Sequence, residues 1–173
     1  MIELIQDYWL YFLIGQYPNG PLGGLVLTLL LASCGLVLAL PLGIVLGLAR
    51  VSPWRSLRWP VSGFVFVVRG LPLLMVIFWA YFFLPSVTGV KTDQFTTMLI
   101  ALVVFDAAYL AEIVRAGIQG LPRGQMETAR ALGLSWSRAM RLVVLPQALR
   151  SMLPSLVNQF VSTIKETSLG LSL

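Results

Sequence analysis

"LVLTLLLASCGLVLALPLGIVLGL", residues 25–48, runs for twenty-four residues without a charge. A helix needs roughly 20 apolar residues to cross the hydrocarbon core of a bilayer, so this run reads as a transmembrane helix, bent at Pro41. The rest of the chain is of the same kind. Its 173 residues are 58% hydrophobic and 11% charged, a balance that belongs to membrane proteins and to one small polytopic domain. The single cysteine, Cys34, lies within the apolar run and reads as a buried small hydrophobe, so no disulfide framework is expected. With no histidine and one cysteine, zinc, haem and Ser-His-Asp or Cys-His chemistry lack their usual parts, and neither a metal nor a catalytic site is expected.

Working outward, Met1 to Tyr17 sets Glu3 and Asp7 among aromatics and is followed by the turn Tyr17-Pro18-Asn19-Gly20-Pro21. It lacks the basic region and small-residue cleavage site of a signal peptide. Residues 1–20 read as an interfacial segment, with a disordered tail as the alternative, and 21–173 as one transmembrane domain. A second span is expected over about 60–84, interrupted at "RGLP", Arg69 to Pro72. A third covers about 95–114 with Asp106 inside it, and a fourth apolar run begins near Ser151, fourteen residues before Lys165. Trp9, Trp79 and Tyr81 read as interface aromatics.

The arginines are segregated. Arg50, Arg55 and Arg58 lie between the first two spans, and six more lie from Arg115 to Arg150, on the same side of the membrane. The opposite side has Lys91 alone. The positive-inside rule makes both basic loops cytoplasmic and the N-terminus external. This topology accounts for the net charge of +5 without a nucleic-acid partner.

One polar stretch breaks the pattern: "GQMETARALGLSWSRAMRLVVLPQALR", residues 124–150. It reads as two short helices, the first stopped at Gly133, the second capped by Ser135 and closed by Pro146. Met126, Ala129, Leu132, Trp136, Met140 and Val143 recur at near-helical spacing with arginines between them, as in an amphipathic surface loop or a docking knob.

This stretch resembles the EAA loop of ABC-transporter permeases: Glu-Ala-Ala, three residues, Gly, nine residues, Ile, any residue, Leu-Pro. Here Glu127-Thr128-Ala129, Gly133, Val143 and Leu145-Pro146 stand in register, with Thr128 and Val143 as mild departures. "AAYLAEIVRAGIQGLPRGQ", "LPQALRSMLPSLVNQ", "KETSL" and "RGLPLLMVIFWAYFFLP" resemble the polar amino-acid permeases of the histidine, glutamate, glutamine, arginine and opine group, most of all the glutamate/aspartate permeases. The resemblance covers residues 24–169. It implies an all-α helical bundle of the importer permease type, four spans in this chain, in a bacterial cytoplasmic membrane.

It also implies that the loop, about 115–150, couples to an ATPase through Glu127, Ala129, Gly133, Trp136, Val143, Leu145 and Pro146. The implied partners are an ATP-binding-cassette ATPase dimer, a second permease subunit of the same or a paralogous kind, an external substrate-binding protein and an amino-acid substrate. The chain has no G-x-x-x-x-G-K-[ST] loop, so it is expected to be no enzyme, and ATP and magnesium would belong to the partner subunit. The family continues past "KETSL" into a further span, which this sequence would lack.

Arg69, Asp106 and Lys165 fall inside spans, each roughly 14–21 Å from a span end if helical. Intramembrane charges face protein or water, and Gly/Pro breaks mark transporter sites. The three are candidates for a translocation path. An Asp106–Lys165 ion pair or a snorkelling lysine explains them equally well, and Glu112 with Arg115 reads as a helix surface pair. An ion-driven carrier would need no docking loop, and a non-transporting scaffold would have no mid-membrane charges. Asp106 and Glu112, six residues apart, do not converge as an intramembrane hydrolase would require.

Overall fold

The computed structural model describes residues 9–17, 23–89 and 93–170. Lys91, most of the N-terminal interfacial segment and all of the turn expected at 17–21 except Tyr17 lie outside them. Within the described residues the chain is almost wholly helical. α1 (Gly24–Val51) is followed by α2 (Arg55–Gly70), α3 (Leu73–Thr88) and α4 (Gln94–Gln119). The polar stretch holds α5 (Gly124–Ala131) and α6 (Trp136–Ala139), then a π-helical turn (Met140–Val144) that leads into α7 (Leu145–Gly170).

The expected first and third spans are α1 and α4, both long and apolar enough to cross a membrane. At about 1.5 Å per residue they measure roughly 42 and 39 Å. α1 runs unbroken through Pro41. The second expected span is two helices: α2 and α3 meet at a 109° bend, and Pro60 lies inside α2 instead of starting it. Gly70 ends α2 and Pro72 caps α3, a pair that denies the helix both its backbone donor and its stiffness. α7, where the fourth run was expected, has the length but not the apolar character of α1 and α4. It carries Arg150, Lys165 and Glu166.

α4 is the central element. Leu102, Phe105, Ala107, Ala108, Leu110, Ala111 and Val114 along it are buried. α1 packs against it through Leu31, Ala32, Gly35, Ala39, Gly43 and Gly47, a stripe of mostly small residues at three- and four-residue spacing. Where solvent exclusion does not drive helices together, close backbone approach and van der Waals contact must do so, and small residues permit it. A Cβ added at Gly43 would meet Leu110 Cβ at 2.5 Å, and one at Gly47 would meet Val114 Cβ at 2.6 Å. α7 joins from the other side: Met152 and Ala148 pack on Val114. At the start of α4, the Asp93 side chain accepts from the Thr96 backbone N–H at 3.2 Å. Hydrogen bonding to Thr96 holds the Asp93 carboxyl below the usual carboxylate range.

Adding one methyl at the seam should therefore be costly. Gly43→Ala and Gly47→Ala are each expected to lose about 1–3 kcal/mol through overpacking, read as a lower Tm of the purified protein. Gly63→Ala, where a Cβ meets nothing within 4 Å, should stay within about 1 kcal/mol of the parent. An unchanged Tm for both seam variants would show that the two helices separate to admit the methyl.

Candidate functional site

Two features converge on α4, a buried carboxylate near its middle and a charge cluster one to two turns further on. Asp106 is fully buried. Its Oδ1 accepts from Gln159 Nε2 at 3.0 Å and from Thr163 Oγ1 at 2.8 Å, both on α7. The single Thr163 hydroxyl proton is shared with the Gln159 carbonyl at 3.0 Å, and Thr167 donates to the Thr163 carbonyl. Gln159, Thr163 and Thr167 are spaced by four and make one polar stripe on an otherwise apolar helix face. Asp106 Oδ2 and Glu166 Oε2 are buried without a hydrogen-bond partner among the described residues.

The Asp106–Lys165 ion pair considered from sequence is not formed. Lys165 is exposed, and Asp106 takes neutral donors. The reason is angular: Lys165 follows Thr163 by two residues, about 200° around the helix, and so faces away from α4.

Beside the break between α2 and α3 lies a cavity of about 280 Å³, lined by Leu71, Pro72, Leu73, Leu74, Ile77, Phe105, Tyr109 and Glu166. Arg69, the other expected path residue, does not line it but contacts Tyr109, which does. Its guanidinium lies 5.2 Å from the centroid of the Tyr109 ring, within cation–π range. Its Nη1 is 3.3 Å from Glu112. Arg69, Asp106 and Lys165 are therefore held by three different environments, and no hydrogen bond or salt bridge joins any two of them among the described residues. Glu166 and the Gln159–Thr163 pair were missed from sequence; the four-residue polar spacing beside "KETSL" was the available signal.

The polar stretch departs from expectation in two respects, at Ser135 and at Pro146. α5 ends as expected at Gly133, whose φ is +85°. The Leu134 N–H bonds the Ala129 carbonyl at 3.2 Å and the Gly133 N–H that of Arg130 at 3.0 Å, the two bonds of a Schellman stop. Ser135 precedes α6 but makes no side-chain cap bond. Pro146 does not close a second short helix. It sits in the first turn of α7, and the π turn carries the helix from Trp136 through to Gly170. Proline cannot donate, and its ring crowds the carbonyl four residues back; a widened turn just before it relieves that crowding. The Leu145 N–H accordingly bonds the Met140 carbonyl five residues back.

Of the expected coupling residues, Glu127 and Trp136 share a cleft of about 680 Å³ with Arg50, Arg58, Gln119 and Arg123. Ala129 is buried, Gly133 forms the stop, Val143 lies in the π turn, and Leu145 and Pro146 open α7. Gln147 Nε2 donates to Gln125 Oε1 at 3.1 Å and to the Val143 carbonyl at 2.9 Å, so α5 is tied to the base of α7.

The model for binding-protein-dependent transport system inner membrane components matches residues 39–173. The chain belongs to this family. It is 39% identical over 168 residues to the inner membrane amino-acid ABC transporter permease protein YhdY of Escherichia coli (strain K12), covering 94% of this chain and 46% of that protein. It is 39% identical over 155 residues to the glutamate/aspartate import permease protein GltK of Escherichia coli O6:H1 (strain CFT073), covering 86% of this chain and 69% of that one. A solved structure, described as an amino acid ABC transporter with histidines, superimposes with a TM-score of 0.79 at 31% identity, over 98% of this chain and 74% of that one. The chain thus spans less than half the length of YhdY and about two thirds to three quarters of the other two.

The hydrogen bonds on Asp106 set an ordering of variants. Asp106→Leu strands the buried Gln159 amide and is expected to lose about 1–3 kcal/mol of stability. Asp106→Asn keeps an acceptor oxygen and should lose less. Thermal unfolding of the two purified variants checks this; an equal loss would mean that the charge, and not the acceptor, holds α7 to α4.

Proposed function

We propose that this chain is the membrane-spanning permease subunit of an ATP-driven importer of polar amino acids, with glutamate and aspartate as the favoured class. The family match over 39–173 carries this reading. The similarity to a glutamate/aspartate import permease supports the substrate class. Residues 21–173 form the permease domain, with α1, the α2–α3 pair, α4 and α7 as four spans. The N-terminus is external and the Arg-rich loops are cytoplasmic, in a bacterial inner membrane.

α5, the Gly133 stop and the α6–π segment dock in a groove of a separate ATPase dimer, which holds ATP and magnesium. A second permease subunit completes the membrane unit, and an external binding protein delivers the substrate. Arg69, Asp106 and Lys165 belong to the translocation path. The cavity beside the helix break, which begins two residues after Arg69, supports the place of Arg69, because broken helices near the membrane middle are where transporters bind solute. Asp106 contributes from behind, through Gln159 and Thr163.

Vesicles holding this permease with its ATPase and binding protein test the reading. Substrate-stimulated ATP hydrolysis with uptake is the expected result; uptake driven by an ion gradient without ATP would replace the importer with a carrier.

Gly133 gives the sharper prediction. Its φ of +85° costs a residue with a Cβ about 1–2 kcal/mol, while a Cβ there meets nothing within 4 Å. Gly133→Val should therefore distort the stop without a clash. Uptake should fall roughly tenfold, equivalent to about 1.4 kcal/mol, while ATP hydrolysis continues. Normal coupling in that variant would remove the docking role from this turn.

A further inference from the structure

One carboxylate gathers three guanidiniums from three places in the chain. Glu112 on α4 accepts from Arg50 Nη1, in the last turn of α1, at 2.5 Å. It meets Arg69 Nη1, in the last turn of α2, at 3.3 Å. Arg115, one turn along its own helix, binds both Glu112 oxygens. From sequence this was an isolated surface pair with Arg115; the other two arms come from residues 62 and 43 positions away.

The arms differ in what they hold. Arg115 is a neighbour on the same helix. Arg50 ties the end of α1 to α4, and its side chain is only 12% exposed. Arg69 stands directly before the break, and its side chain is 38% exposed, so it is the arm freest to leave. Its guanidinium also covers the ring of Tyr109, which lines the cavity beside the break. Glu112 follows Tyr109 by three residues, about 4.5 Å further along α4. The Arg69–Glu112 pair therefore lies just below the cavity, on the side where α4 runs on to Arg115 and the basic loops.

We propose that the Arg69–Glu112 pair is a latch that closes the break cavity toward the basic face of the protein, and that it parts when the cavity opens to that side. Glu112 acts as a positioning residue: it fixes where α2 ends and so where the walls formed by Leu71, Pro72 and Leu73 stand. Importer function supplies the solute that would pass, but the latch itself is a claim about access and is measured as such.

The test uses the complete permease in vesicles, with Cys34→Ala removing the single native thiol and Ile77→Cys placing one in the cavity wall. A membrane-impermeant maleimide is added to each face in turn, and Ser137→Cys in a parallel sample reports which face is the basic one. Arg69→Gln and Glu112→Gln are each expected to speed labelling of the cavity thiol from the basic face by about fivefold or more, with no change from the other face. Glu112→Asp should fall between them and the parent. Arg69→Gln keeps the Arg50–Glu112 tie and an exposed position, so it remains informative if Glu112→Gln does not fold. A labelling rate in Arg69→Gln within about twofold of the parent overturns the latch, since coupled sites ordinarily shift by more. Loss of ATP-driven uptake in the parent protein would sink the importer reading instead, and would leave the labelling ratio intact.

Discussion

The close approach of α1 to α4 at Gly43 and Gly47 is the constraint on which the rest depends. Helices carrying side chains at those positions would stand further apart, because Leu110 and Val114 already occupy the space. Arg50 lies three residues past Gly47, at the end of the same helix, and reaches Glu112 only because the backbones are that near. The seam also fixes the register of α4, and α4 carries Phe105, Asp106, Tyr109 and Glu112. One stretch of glycine-on-aliphatic packing thus positions both the buried carboxylate and the charge cluster.

Within a membrane, the two carboxylates are stabilised by opposite means. Asp106 is enclosed and takes neutral donors from α7, which orient one oxygen without neutralising the charge. Glu112 is half-buried and surrounded by arginines, so it is over-compensated in charge and shared among three helices. Charge-assisted, forked contacts to a carboxylate are strong and directional. Sharing one carboxylate among three arms means that each arm competes with the others, which suits a contact that must open. Asp106, with fixed neutral partners, suits one that stays.

Much of this was legible in the residues. The chargeless run 25–48 gave away α1, "RGLP" marked the break, and Gly133 marked the stop, because each rests on a local rule about hydrophobic length, proline or positive φ. What was not legible depended on angle or on distance through space. Opposite charge alone left an Asp106–Lys165 pair open, although the face of α7 that carries Thr163 turns Lys165 away. Glu112 looked like half of a local pair, because nothing in sequence brings Arg50 and Arg69 to the same turn of α4. Pro146 was read as a stop from a rule that holds for regular α-helix, and a π turn evades it.

That π turn has a mechanical consequence. Had Pro146 ended a short helix, the polar loop would meet the membrane through a flexible joint, and displacement of α6 would be lost in it. Instead the backbone stays helical from Trp136 to Gly170, with a single widened turn whose Leu145 N–H is still bonded. The same rod carries Gln159 and Thr163 to Asp106 and Glu166 to the cavity wall. α5 is pinned to its base by the Gln125–Gln147 bond. The loop's second half, the donors of Asp106 and the wall beside the break therefore belong to one continuous helix, and packed helices move as units and not by bending at every residue. The loop and the cavity lie at two ends of one continuous helical element.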